Sequence, residues 1–120
     1  MPALILVVDD NVDLRDTMAE LLALEGYEAI TAINGEDALE ILSSLEGLPD
    51  VILSDWHMPE MDGEALYQVL RGDESYRNVP FILMGQFQSS RAMEAQFPDA
   101  HFLDKPFSPI ELTKLLESLL

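Results

Sequence analysis

Four residues in this chain have types that could do chemistry together: the adjacent Asp9 and Asp10, then Asp55, then Lys105. Each stands where a short apolar run stops: Asp9-Asp10-Asn11 after Leu4 to Val8, Asp55 after Val51 to Ser54, and Lys105-Pro106 after Ala100 to Leu103. Singly they have ordinary explanations. Asp and Asn after a strand accept hydrogen bonds from the free N–H groups of a following helix, an aspartate can serve a turn, and a lone lysine is most often solvated. Gathered in one pocket they mean something else. Like charges packed closely raise one another's pKa unless a cation intervenes. A hard divalent cation with oxygen ligands is the natural remedy, and magnesium suits a few carboxylates plus waters. A lysine in the same pocket adds a fixed positive charge, and the set would then stabilise an anion placed among carboxylates, such as a phosphoryl group in transfer.

Whether these residues meet depends on the elements that carry them, and apolar runs alternate with helical patterns along the whole chain. After the Leu4 to Val8 run, Val12 to Leu24 has helical spacing, with Leu14, Met18, Leu21 and Leu22 on one face and Gly26 as its stop. Tyr27 to Ala32 reads as a second strand, Asn34-Gly35 as a turn, and Glu36 to Leu45 as a helix. Val51 to Ser54 is a third strand, followed by a Pro59/Gly63 loop and a helix from about Glu64 to Leu70. Phe81 to Met84 is the fourth strand, and Ala100 to Leu103 a weaker fifth. Between them, Ser90 to Gln96 has room for a short fourth helix before Phe97-Pro98. Ser108 caps the last helix, with Pro109 in its first turn and Leu112, Leu115, Leu116 and Leu119 as its stripe. A β-α unit repeated five times, with continuously apolar strands, implies a doubly wound parallel sheet joined by right-handed crossovers. In such sheets ligands bind at the carboxyl ends of the strands, where the strand order reverses. That is where the three aspartates and the lysine fall.

Composition narrows the partners. At 120 residues the chain fits one domain over 1–120, and it has no cysteine for a disulfide, a zinc–thiolate site or a thiol nucleophile. Twenty-three acidic residues face six basic ones, for a net charge of −17. Such a surface repels phosphate backbones and anionic lipid, which argues against direct binding to nucleic acid or membrane. No apolar stretch approaches the ~20 residues that span a bilayer, and the start has no basic flank of a signal peptide. The expected location is the cytoplasm.

The motifs LILVVDDN, PDVILSDWHMPEMDG and FLDKPF, in this order and over essentially the whole chain, resemble the receiver domain of two-component response regulators, the family that includes the chemotaxis protein CheY. The resemblance implies a CheY-like sheet of order 2-1-3-4-5 flanked by five helices. It implies that Asp55 is the phosphorylated residue, that Asp9 and Asp10 position magnesium with Asp10 the direct ligand, and that the backbone carbonyl of His57 is the third protein ligand beside Asp55. Lys105 would pair with a phosphoryl oxygen, through a cis bond to Pro106, which proline permits at small cost. The implied function is magnesium-dependent phosphotransfer from a phosphohistidine to Asp55, with self-dephosphorylation, by a protein that takes part in its own chemistry and is not a turnover enzyme. The implied partners are a histidine kinase or histidine phosphotransfer protein, a downstream effector or output domain, and a second copy of the chain through the fourth helix, fifth strand and fifth helix.

One position departs from that pattern. Gly85 in FILMGQ stands where the family has a serine or threonine whose hydroxyl binds the phosphoryl group. Only its backbone N–H could serve, unless a rebuilt loop returned Ser89 or Ser90. The switch aromatic of the fifth strand is present as Phe102. The expectation is that Asp55 accepts phosphate while switching is weakened or takes another route. A phosphorylation-independent interaction module is the alternative reading. A flavodoxin-like cofactor binder or a small phosphatase fits poorly, since no hydroxyl- and glycine-rich loop follows the first strand and no aspartate stands at His57. Met58, Met61, Met84 and Met93 are expected to pack rather than bind, His101 has no partner at metal-ligand spacing, and Trp56 offers a fluorescence reporter beside the acceptor.

Overall fold

The computed structural model describes residues 2–86 and 95–120. Its elements run β1 (Leu4–Val8), α1 (Val12–Leu24), β2 (Glu28–Ala32), α2 (Gly35–Ser44), β3 (Val51–Asp55), α3 (Gly63–Arg71), β4 (Phe81–Gly85), β5 (Ala100–Asp104) and, numbered here as the fourth described helix, α4 (Pro109–Leu119). The strands pair in parallel in the order β2-β1-β3-β4-β5. Side chains alternate across a strand, so each apolar run feeds both faces. Leu6, Val8, Ile52, Phe81 and Leu83 pack against Ala38 and Leu42 of α2 and Leu66, Tyr67 and Leu70 of α3. Ile5, Val7, Leu53, Ile82 and Met84 pack against Met18 and Leu22 of α1 and Leu112 and Leu116 of α4. This two-sided cover explains why the strands are continuously apolar.

Each helix begins at a residue whose side-chain oxygen accepts a free backbone N–H: Asn11 from Leu14, Asn34 from Asp37, Asp62 from Ala65 and Ser108 from Glu111. Asn34-Gly35 is therefore a cap and first helical residue, not the free turn expected from the sequence. β2 also starts one residue later than expected, because the N–H of Tyr27 closes the end of α1 onto Leu22. Among the described residues there are four helices rather than five. The helix expected over Ser90 to Gln96 lies outside them except for its last two residues, 95–96, which are helical. No helix of the described residues is long and apolar enough to cross a membrane.

Gly63 ties the fold to the strand ends. Its N–H donates to the Trp56 carbonyl at 3.0 Å. A Cβ there would collide with the Asp55 carbonyl oxygen and stand 2.9 Å from Leu83 Cδ2. Backbone cannot yield as a flexible side chain would, so Gly63→Ala should destabilise the domain by about 3 kcal/mol, the upper end of overpacking costs. Thermal unfolding should show a Tm lower by roughly 10 °C.

Candidate phosphoryl-acceptor site

Strand register brings the chemically interesting residues together. Val8 pairs with Ser54, so Asp9 comes beside Asp55; Asp55 pairs with Met84, and Gly85 pairs with Asp104, the residue before Lys105. The strand order reverses between β1 and β3, and the cluster sits at the carboxyl ends on either side of that point.

Asp9 is fully buried and held on three sides. Its N–H donates to the Ala32 carbonyl at 3.1 Å, its own carbonyl accepts from Arg15 at 3.0 Å, and Oδ1 accepts the Asn11 N–H at 2.9 Å. Asn11 in turn caps α1, so helix start and carboxylate are fixed by one turn of chain. Asp55 closes β3 and is nearly buried, whereas Asp10 is exposed. The lysine enters from β5. Its backbone N–H donates to the Gly85 carbonyl at 2.8 Å, its bond to Pro106 is cis, and its Nζ lies 2.9 Å from Asp55 Oδ1 and 4.0 Å from Asp9 Oδ2.

One carboxylate oxygen from each of Asp9, Asp10 and Asp55 can be chosen so that all three lie within 4.8 Å of one another. Asp9 Oδ2 is buried with no hydrogen-bond donor. A buried anionic oxygen without a donor is costly, and three hard oxygens at this spacing suit a magnesium-sized cation. Burial raises the Asp9 pKa above 3.8, with the Asp55 and Asp10 charges adding to the rise, while the Asn11 N–H and Lys105 oppose it. The folded state thus holds this proton more tightly than the unfolded chain. The stability tied to it is full below 3.8 and is lost as pH rises through the folded value. Asp9→Asn, which keeps the acceptor for Asn11 but cannot ionise, should therefore unfold at a higher temperature than the parent chain at pH 7 without metal. That difference should shrink toward pH 3, as thermal melts across pH would report.

Other expected site residues fall around this centre. His57 is exposed and lines a shallow cavity of about 290 Å³ with Asp10, Met58, Pro59 and Asp62. Gly85 is buried at the end of β4 and presents no hydroxyl. Ser89, Ser90 and Met93 lie outside the described residues. Met58 and Met84 are buried packing residues, as expected. Phe102 is half-buried in β5, its ring centroid 6.5 Å from that of Phe97.

Two contributors escaped the sequence reading. Arg15 looks like an ordinary helix residue, and its hold on the Asp9 carbonyl comes from the α1 start folding back on β1. Phe97, expected only as a helix stop, is fully buried and meets Trp56 and Tyr67 edge to face at 5.4 and 5.2 Å. The visible signal was a phenylalanine in a polar stretch, directly before a proline.

The profile of the response regulator receiver domain matches residues 5–117. A probable transcriptional regulator of Cyanophora paradoxa is 35% identical over 116 residues, covering 97% of this chain and 47% of its own length. The chain thus spans about half of that curated relative. The chemotaxis response regulator CheY4 of Vibrio cholerae superposes with a TM-score of 0.89 at 32% identity, with all of both chains covered. The receiver domain of a sensor histidine kinase from Pseudomonas aeruginosa, solved with magnesium coordinated in its active-site cleft, superposes with a TM-score of 0.85 at 27% identity, covering 99% of this chain and 98% of that one.

Proposed function

The chain belongs to the response regulator receiver domain family, and on that premise we propose that it takes a phosphoryl group onto Asp55 from a phosphohistidine of a histidine kinase or histidine phosphotransfer protein. The observation that carries this reading is Lys105 Nζ at 2.9 Å from Asp55 Oδ1, inside a cluster of three carboxylates. An Asp55 oxygen attacks phosphorus, the P–N bond breaks, and the histidine nitrogen takes a proton as it leaves. Hydrolysis of the acyl phosphate returns the carboxylate and inorganic phosphate. Lys105 neutralises an equatorial oxygen in both directions. Bound magnesium, held by Asp9, Asp10, Asp55 and the His57 carbonyl, would supply further charge neutralisation on the phosphoryl oxygens. Asp9 acts from behind, its position set by Arg15 and Asn11. The protein works as a signalling substrate, not a turnover enzyme.

Output depends on Gly85. Without a hydroxyl at the end of β4, nothing in that residue can follow a phosphoryl group except its N–H. Phe102 is packed against the buried Phe97. We therefore assign weak coupling between Asp55 and Phe102. The surface of β5 and α4 is where an effector, an output domain or a second copy would read the state. Gly85 is the one feature that favours a phosphorylation-independent interaction module instead.

Magnesium titration of Trp56 fluorescence separates the two. The ring neighbours Asp55 in sequence and packs on Phe97, so ion binding should change its emission saturably. Asp10→Asn should weaken that response by about tenfold or more. A flat titration for the parent chain would remove the receiver mechanism and leave the interaction module.

A further inference from the structure

At the end of the sheet opposite the aspartates, a cavity of about 330 Å³ is lined by Arg71, Arg77, Asn78, Asp99 and His101, among others. Two of the chain's six basic residues meet here, in a protein with 23 acidic ones. Three segments supply the donors: the end of α3, the α3–β4 connection and the start of β5. Arg71 is held for a purpose that its own contacts do not exhaust. Its guanidinium carbon lies over the Tyr67 ring, 5.1 Å from the centroid. Its two terminal nitrogens make only long bonds, 3.4 Å each, to the Tyr76 and Asp99 carbonyls. Its Nε is buried without any acceptor. Among the described residues no carboxylate lies within ion-pair distance of Arg71, and Arg77 reaches only the exposed Glu74, at 3.9 Å. The terminal nitrogens, held only by these long bonds, keep donor capacity for an acceptor in the cavity.

We propose that this cavity binds a small phosphate-bearing molecule. Asp99 adds one negative charge to the lining, and the two guanidiniums outweigh it. A carboxylate is satisfied by a single planar fork. Donors arriving from three segments instead match a tetrahedral anionic group with three outer oxygens. The volume is at the low end for ligand sites, which suits a compact molecule. The site is independent of the phosphoacceptor cluster, which lies at the other ends of the strands.

The test is a ¹⁵N NMR titration of Asp55→Asn protein with inorganic phosphate, without magnesium and at constant ionic strength, repeated with acetate. Phosphate should move the Arg71 Nε–H and the His101 ring resonances saturably, in the millimolar range. Arg77→Gln, an exposed change outside the core, should weaken binding about tenfold, as expected for one charge-assisted contact. Acetate should bind about tenfold more weakly than phosphate. Absence of a saturable shift at Arg71 and His101, or an affinity unchanged by Arg77→Gln, would overturn the site. Equal affinity for acetate would overturn its assignment to phosphate.

Discussion

Asp55→Asn should leave a folded chain that takes up no phosphoryl group from acetyl phosphate, at least ~1000-fold below the parent rate. The substitution keeps the shape of the side chain and removes its charge. A carboxylate oxygen is the attacking atom, and an amide oxygen is a far weaker nucleophile. Asp9 cannot replace it, since that carboxylate is buried and tied to the Asn11 N–H, while Arg15 holds the residue's backbone carbonyl. Asp10 is exposed but stands outside the 2.9 Å contact that Lys105 makes with Asp55. Stability should change by only about 1 kcal/mol either way, because losing one carboxylate relieves repulsion while weakening the Lys105 pair. Intact-mass spectrometry after acetyl phosphate and magnesium reports the uptake, and a thermal melt reports the fold. Undiminished uptake by the variant would move the acceptor to another residue.

Lys105→Ala should have the second largest effect. The ammonium is the one cation among three carboxylates in the described cluster, at 2.9 Å from Asp55 and 4.0 Å from Asp9. Its loss takes away a preorganised charge from the oxygens that gain charge during transfer, worth about 10²–10³ in rate. It also leaves the carboxylates facing one another, so the metal-free domain should lose about 1–2 kcal/mol, discounted for the partial exposure of the lysine. The two effects have different signatures. Saturating magnesium should recover most of the lost stability, because a dication can take over the neutralising role, but not the rate, because it cannot occupy the position of Nζ. Initial rates of phosphoprotein formation and melts with and without magnesium measure both. A variant that phosphorylates at the parent rate would remove Lys105 from the chemistry.

The parallel sheet was legible because each strand is a short apolar run that stops abruptly, and its order came with the resemblance carried by the three motifs. Asp9, Asp55 and Lys105 announced the site by being the stops. Their convergence followed from a parallel sheet having all its carboxyl ends on one side, so no side-chain geometry was needed to foresee it. What stayed hidden was nonlocal. Asn34-Gly35 has the composition of a turn, and only the approach of Met61, whose Cβ would stand 2.8 Å from a Cβ at residue 35, shows why a glycine starts α2 there. Burial of Phe97 depends on a niche between Trp56, Tyr67 and Phe102 that three separate elements build. Arg71 carried no signal in the sequence and His101 only the lack of a metal-ligand partner; the end of α3 and the starts of β4 and β5 set them around one cavity. Gly85 was the reverse case, visible in the sequence as a missing hydroxyl and unchanged by the structure, which keeps it buried at the end of β4 with its carbonyl holding Lys105.

Acceptance of a phosphoryl group by Asp55 with the help of a divalent cation is tested directly by one measurement. The parent protein is incubated with acetyl phosphate, with magnesium or with a chelator, and its intact mass and modified peptide are determined. The predicted result is a single phosphoryl group on Asp55 in magnesium and none in the chelator. A protein that stays unmodified in magnesium, carries the group elsewhere, or gains it equally in the chelator would contradict the account.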